Sequence, residues 1–350
     1  MKYRILRQTD LKLSELGFGV WGVSTNWRGH VDEVEAVRLL QRADDLGINF
    51  FDTADAYGAG YGEQVLSKAL GTRRHQLVFG TKFGYDLSVQ RQPREHKERP
   101  QNWSPEFVRQ ACEDSLRRLK TDYIDLYQLH NARLTAIADY ELFETLAELK
   151  KEGKIRYSAV AVGPDIGWME EGEYTIATRK IPAQIIYNIL EQDPANELID
   201  LASEHDVGLL TRVPHASGML DGTYTKDTNL ADFPFDPEDH RAFRKMAWLK
   251  ESIAKLNLID FLFSDNNATV GQIAIKFCLK PIQVASVLPT ITTQEQLVEY
   301  AAAPEIDPIP DDHLTALTRL YGDNFGFGDK PPPLSPALSN RKQLNWPSLV

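Results

Sequence analysis

The sequence predicts a closed (β/α)8 TIM barrel of parallel strands with helices outside, an N-terminal β-hairpin, long βα loops and a C-terminal extension. Three observations predict it. Short apolar runs of strand length alternate with amphipathic helical stretches through eight units. No interior linker shows the composition shift that marks a domain boundary. The 350 residues accommodate a barrel of roughly 250 residues with insertions. One domain is expected over 1–350, with the barrel at about 17–303 and a tail at about 322–350. An open doubly wound sheet is the alternative, because closure is not visible in a single sequence.

Tyr3–Leu6 and Leu11–Leu13 alternate apolar and polar residues around Thr9-Asp10, which predicts a hairpin. The first barrel strand follows at Gly17–Val20. Val34, Val37, Leu40 and Ala43 recur at helical spacing over Asp32–Asp45, with Asp32 as cap and Gly47 as stop. Ile48–Phe51 is the second strand. The order continues with helix Gln64–Leu70, strand Leu77–Thr81, and helix Pro105–Leu119 capped by Ser104. Strand Ile124–Leu129, helix Tyr140–Lys151, strand Ile155–Val162 and a shorter helix near Ile166–Thr178 come next. Strand Ala183–Tyr187, helix Ala195–His205 and strand Val207–Thr211 lead into a long connection. Helices Pro237–Leu256 and Val270–Leu279, strand Val284–Leu288 and helix Gln294–Ala303 complete the set.

Three segments exceed what a barrel needs: Tyr85–Trp103 with its basic run RQPREHKER, Pro214–Asp236, and the Pro-rich tail. Long loops of this kind are often binding loops. The net charge of −11 disfavours nucleic acid and anionic membrane as partners, so an anionic cofactor needs a locally built site. The two cysteines, Cys112 and Cys278, lie in helical patterns with no metal-ligand spacing, so no metal is expected. Low cysteine use suits a reducing compartment. The N-terminus MKYRILRQTD has no apolar core of signal-peptide length, and no stretch reaches membrane-spanning length. A cytoplasmic protein is expected.

Gly17-Phe18-Gly19-Val20-Trp21-Gly22 matches G-x-G-x-x-G literally. A dinucleotide fingerprint needs a helix opening at the third glycine and an acid ending the next strand ~20 residues on. Neither is expected here, since the next helix waits until Asp32 and Asp52 is too distant. The stretch is taken as a Gly-rich first strand and loop, with Trp21 facing the barrel mouth.

The chemistry gathers in NFFDTADAYGAGYGE, residues 49–63. Asp52 and Tyr57 sit where the second strand gives way to a loop, the edge at which barrels place function. Lys82 ends the third strand in LVFGTKFG, and His130 ends the fourth in YIDLYQLH. An Asp there is ordinarily a cap, a Tyr a core aromatic and a lone His incidental. Lys82 is different, because an ammonium ending an apolar strand is costly unless paired. Asp52 is its natural partner. A free phenol titrates near ~10, and a neighbouring ammonium favours the phenolate. Asp52 would hold Lys82 charged, and His130 would orient a substrate oxygen beside Tyr57. This describes a general acid aimed at a carbonyl that is becoming an alkoxide. Side chains supply no hydride, so a nicotinamide cofactor is implied.

FDTADAYG, TKFG and LYQLH resemble the motifs of the aldo-keto reductases, NAD(P)H-dependent barrel oxidoreductases, over about Tyr3–Ala303. The resemblance implies Tyr57 as proton donor, Lys82 and Asp52 as its tuning pair, and His130 as the carbonyl-orienting residue. It places the hairpin as a plug in the barrel base. Trp21, Gly22 and Asp52 are implied on the cofactor side, together with Gln184 in QIIYN for the nicotinamide carboxamide. The family's Ser-Asn pair falls on Ala161-Val162, and its nicotinamide-stacking aromatic falls on Arg212, whose guanidinium plane can also stack. Main-chain donors from Val213 to Leu220, with His215, Ser217 and Gly218, resemble its pyrophosphate loop. Its Gly and its 2′-phosphate cation appear as Thr290 and Thr292, followed by Gln296 and by Tyr300 in place of Asn. The family points first to NADP(H), and the hydroxyls at Thr290 and Thr292 make NAD(H) the alternative. A helix N-terminus capped by Thr292 or Thr293 is the plain structural account of that segment.

A small carbonyl compound is the expected partner. Trp21, Trp27 and Trp103 are expected to line an apolar mouth. Two rivals remain: a nucleotide-sensing module with little turnover, and a Schiff-base lyase using Lys82 as nucleophile. A paired ammonium resists the deprotonation that the lyase requires.

Overall fold

The computed structural model describes residues 1–25, 30–89, 98–164, 166–225, 228, 246–264 and 267–328. Strands β1 (Tyr3–Ile5) and β2 (Lys12–Ser14) form the expected antiparallel hairpin. Thr9 shapes its turn, since its hydroxyl donates to Leu6 O at 2.6 Å and accepts from Leu11 N at 3.0 Å.

Eight parallel strands follow. They are β3 (Phe18–Gly19), β4 (Phe50–Asp52), β5 (Val78–Phe83), β6 (Ile124–His130), β7 (Ile155–Ala161), β8 (Ala183–Ile186), β9 (Leu209–Arg212) and β10 (Val284–Leu288). Each pairs with its sequence neighbour. Parallel bridges Leu16↔Val287 and Gly19↔Thr290 join the first strand to the last. The sheet is therefore a closed barrel rather than an open sheet.

Side chains alternate across each strand and sort into two cores. Tyr127 and Leu129 of β6 face the helices, in a cluster with Val108, Cys112 and Leu116. Leu126 of the same strand belongs to the barrel interior with Phe50, Val78, Ala159 and Leu210. Leu6, Leu11 and Leu13 of the hairpin complete that interior cluster, so the hairpin fills the N-terminal end of the barrel. The C-terminal strand ends are left for chemistry.

Helices Pro105–Leu119 and Tyr140–Lys151 occupy the ranges expected, and Ser104 caps the first by accepting from Phe107 N at 3.4 Å. Asp32 likewise caps Glu33–Asp45 through Glu35 N at 2.9 Å. Among the boundaries and elements that differ from expectation, four bear on the barrel. A helix begins at Tyr61 rather than Gln64, entered through Gly60 in a left-handed conformation. The stretch expected as one helix over 166–178 is helical only from Met169, and its last turn, Tyr174–Arg179, is π-helical. A single helical turn, Trp21–Ser24, forms where none was expected before Asp32. Its last residues are held by their own side chains: Ser24 Oγ donates to Val20 O at 2.8 Å and Thr25 Oγ1 to Trp21 O at 2.9 Å.

The fourth is helix Asp311–Gly322, which lies between the expected barrel end and the expected tail. Its signal was present, with Leu314 and Leu317 at helical spacing and Asp311 and Asp312 in the first turn. Within the tail expected from Gly322, residues Asn324–Gly326 form a helical turn rather than extended chain. Of the helix expected over 237–256, the described part is Met246–Leu258. Residues 237–245, most of RQPREHKER and the segment from 329 lie outside the described residues.

Leu13 is fully buried at the barrel base. Truncating it to Ala leaves a cavity beneath the active end, with an expected cost of about 2–5 kcal/mol. Urea unfolding checks this. A loss below about 1 kcal/mol would mean the hairpin is an ornament and not part of the core.

Candidate active site

The polar residues begin where the interior apolar layer ends. Phe50 leads to Asp52 on β4, Val78 through Gly80 to Lys82 on β5, and Leu126 through Gln128 to His130 on β6. Register pairs Asp52 with Gly80, and Lys82 with Gln128. Lys82 is 1 % exposed and Asp52 4 %. The three ammonium protons have three acceptors. Lys82 Nζ forms an ion pair with Asp52 Oδ2, donates to Thr53 O at 2.9 Å, and donates to the Tyr57 hydroxyl at 3.3 Å. Burial alone would pull its pKa down. The charge of Asp52 and the Tyr57 contact outweigh burial and leave it raised, so the group stays a cation.

The second oxygen of Asp52 is also engaged. Oδ1 accepts from Gln128 Nε2 at 2.6 Å and from Gln184 Nε2 at 3.2 Å, and Gln184 Nε2 also donates to Gln128 Oε1 at 3.1 Å. Gly80 makes room for this network. A Cβ there would stand 3.3 Å from Gln128 Nε2, 3.4 Å from Asp52 Oδ1 and 3.2 Å from Phe50. Gln128 was not singled out from the sequence. Its signal is the two-residue period of β6, which puts it on the same face as His130.

Tyr57 lies in the loop between β4 and the Tyr61–Leu70 helix. Its backbone is held by Tyr57 N to Ala54 O at 3.1 Å and Gly62 N to Tyr57 O at 3.0 Å. Gly58 follows at φ +58°, and a Cβ there would lie 2.5 Å from Ser24 O. The unexpected Trp21–Ser24 turn therefore presses on the loop that carries the phenol, and only glycine permits it. Glu63, fully buried, accepts from Thr81 Oγ1 at 2.6 Å and pairs with Arg118, which fixes the helix start to β5.

His130 is 8 % exposed, with ring centroids 5.7 Å from Tyr57 and 4.9 Å from Tyr85. Burial first, then the charges of Lys82 and Arg212, hold its pKa well below the usual imidazole value. Four residues from three separate stretches of sequence thus converge at the C-terminal ends of three adjacent strands.

The residues expected at a cofactor form a second group. Gln184 on β8 is buried in the Asp52 network. Arg212 ends β9, and its guanidinium donates to Val162 O at 2.9 Å and Pro164 O at 3.4 Å. Val213 and Ser217 have positive φ, and 216–218 form a tight turn. Within it the amides of Ala216, Gly218, Met219 and Leu220 donate to the carbonyls of Val213, His215 and Ala216. His215 Nε2 lies 3.2 Å from Gly271 O, and its ring is 4.5 Å from that of Tyr300, also buried. Gln296 Oε1 accepts from Thr292 N at 2.9 Å and from its hydroxyl at 3.1 Å. Thr293, not Thr292, caps the Gln294–Ala301 helix. Gly22 packs against Thr290, Ile291 and Thr292. The loop after β3 therefore meets the loop after β10, and the loop after β9 packs on helices Val270–Cys278 and Gln294–Ala301.

Among the expected mouth residues, Trp21 opens its helical turn half-buried. Trp103 packs over Gly84 and edge-on to Phe83 at 5.8 Å. Trp27 lies outside the described residues. Among the described residues no group of three or more His, Cys, Asp or Glu could hold a metal ion, and no helix is long and apolar enough to cross a membrane.

The pattern described as the aldo/keto reductase family matches residues 15–321. The NADH-specific methylglyoxal reductase of Escherichia coli (strain K12) is 31% identical over 341 residues, covering 91% of this chain and 98% of its own length. Among solved structures, aldo-keto reductase AKR11C1 from Bacillus halodurans (holo form) has a TM-score of 0.71 at 30% identity, covering 91% of this chain and 96% of that one. The glycerol dehydrogenase AKR11B4 from Gluconobacter oxydans reaches 0.77 at 22% identity, covering 95% and 99%, which is a likeness of fold.

The depressed His130 pKa carries a sign for stability. The unfolded chain binds a proton near ~6.5, where the buried imidazole does not. Stabilisation is therefore complete above that pH and is lost as pH falls below it. Unfolding free energy at pH 5.5 is expected below that at pH 7.5, with a shallower slope in H130N. Equal slopes in the two proteins would remove His130 as the cause.

Proposed function

This chain belongs to the aldo/keto reductase family of oxidoreductases that act on carbonyl compounds, and we propose that it reduces an aldehyde or ketone to an alcohol with Tyr57 as general acid. The observation that carries the assignment is the buried Lys82 ammonium, held by Asp52 and donating to the Tyr57 hydroxyl at 3.3 Å. The nicotinamide cofactor used by the family supplies the hydride. Tyr57 gives its proton to the carbonyl oxygen as negative charge develops there. Lys82 then faces the phenolate oxygen and stabilises the charge left behind. His130 is kept neutral, so it can donate an N–H to the substrate carbonyl oxygen without itself protonating it. Solvent restores the Tyr57 proton. A lysine with a raised pKa and a carboxylate partner is a poor nucleophile, which disfavours Schiff-base chemistry.

The donor set suits a nicotinamide. The Gln184 amide nitrogen is committed to Asp52 and Gln128, which leaves its oxygen to accept from a carboxamide N–H. Arg212 is tethered by two backbone carbonyls, which orients its plane for stacking. For the adenosine end we propose NADH over NADPH. Thr292 brings no cation, its hydroxyl is turned to Gln296, and Gln294 Nε2 donates to Glu35 at 2.9 Å, placing a carboxylate beside the segment. A 2′-phosphate would find no cation on this segment, and the neighbouring cation, Arg38, is already paired with Glu35 at 3.8 Å. The relative named as an NADH-specific methylglyoxal reductase agrees, and makes methylglyoxal the first carbonyl to test.

Tyr57→Phe is expected to keep NADH affinity within about twofold and to lose kcat by about 10²–10⁴-fold. Steady-state absorbance kinetics with methylglyoxal and an aldehyde panel decide it, and near-parental turnover would unseat Tyr57. Thr292→Arg is expected to raise the NADPH/NADH affinity ratio about tenfold, read by fluorescence titration. An unmoved ratio places selection elsewhere.

A further inference from the structure

We propose that Tyr85 is a positioning residue for His130, holding the imidazole by the edge of its ring. The inference rests on the role given to His130 above. A working imidazole is usually oriented by an acceptor on its far nitrogen. Here Nδ1 of His130 is buried with no hydrogen-bond partner among the described residues. Orientation therefore falls to ring contacts: Tyr57 at 5.7 Å and 82°, and Tyr85 at the closer 4.9 Å and 64°.

Tyr85 is itself held at its far end. Its hydroxyl donates to Glu98 and accepts from Asn131 Nδ2 at 2.8 Å. Burial, then Glu98, drive its pKa upward, so the phenol stays a neutral donor. Glu98 pairs with Arg133, which also donates to Asn131 O at 2.6 Å and Gly163 O at 3.1 Å and lies 4.1 Å over the Trp168 ring. Gln101 bridges Tyr85 in antiparallel pairing, and its Nε2 donates to His130 O and Asn131 O at 3.0 Å each. Both flanks of the excursion after β5 are thus tied to residues 130–133. A side chain serving only to fill space would not need a hydroxyl anchored at both Glu98 and Asn131.

The test is a double-mutant cycle with methylglyoxal and the aldehyde panel, alongside NADH titration. Y85L is expected to lower kcat about 10- to 100-fold, the scale of a displaced catalytic group, with NADH affinity within about twofold of parental. Y85F, which keeps the ring edge but loses both hydroxyl anchors, recovers part of the loss, to within about three- to fivefold of parental. In an H130N background Y85L adds nothing, because the group it orients is gone. Parental kcat in Y85L, or the same loss repeated in H130N, overturns the proposal while leaving His130 in its role. Parental turnover in H130N overturns that role and the proposal together. Should Y85L fold poorly, E98Q replaces it. A loss of about threefold that vanishes in H130N supports the proposal, and an additive one overturns it. Without any substrate, the His130 imidazole resonances of Y85F are expected to stay parental, whereas those of Y85L shift toward ordinary titration. Unchanged titration in Y85L overturns the inference.

Discussion

A buried ammonium beside a buried carboxylate is the constraint on which the remaining architecture depends. Taking Lys82 and Asp52 out of water costs several kcal/mol per ion, and their attraction offsets this only if every remaining proton and lone pair is satisfied. The barrel meets that condition from five strands or strand-end loops at once. Thr53 O and the Tyr57 hydroxyl take the other two lysine protons, while Gln128 and Gln184 reach Asp52 Oδ1 from β6 and β8. An open sheet would not bring β8 to β4, so the network is itself a product of closure.

Closure also separates the two ends of the molecule. The hairpin leucines fill the interior below Phe50, Val78 and Leu126, which keeps water from the underside of the ion pair. Above that layer the same three strands switch to Asp52, Lys82, Gln128 and His130. The switch happens at one level because the register locks neighbouring strands together. A dry floor under a charged layer strengthens the interaction of Lys82 with Tyr57, since effective dielectric falls with distance from water.

Around this layer, loops that follow different strands support one another. Ala161 and Val162 bring no polar side chains to the end of β7, yet the carbonyls of Val162 and Pro164 hold Arg212 in place. Tyr300 packs on His215, tying the Gln294–Ala301 helix to the loop after β9. These contacts are between segments that follow different strands, so each is intelligible only in the company of the others.

Much of this was legible beforehand, and the division has a physical basis. Period-2 and period-3.6 patterns depend on neighbours within a few residues, so the hairpin, the strands and the capped helices could be read locally. So could the costly lysine ending an apolar strand. Helix Asp311–Gly322 and the inward period of Gln128 were also written in the sequence. Contacts that join distant segments were not. The Trp21–Ser24 turn against Gly58, the Gln184 reach to Asp52, and the placing of Tyr85 against His130 arise from the tertiary arrangement, because residues 34 to 132 positions apart become neighbours only when the strand–helix units assemble. By itself the sequence determined which groups carry charge and which face each can occupy. The tertiary structure alone decided which of them touch, since hydrogen bonds and ring contacts require separations of a few ångströms that no local pattern sets.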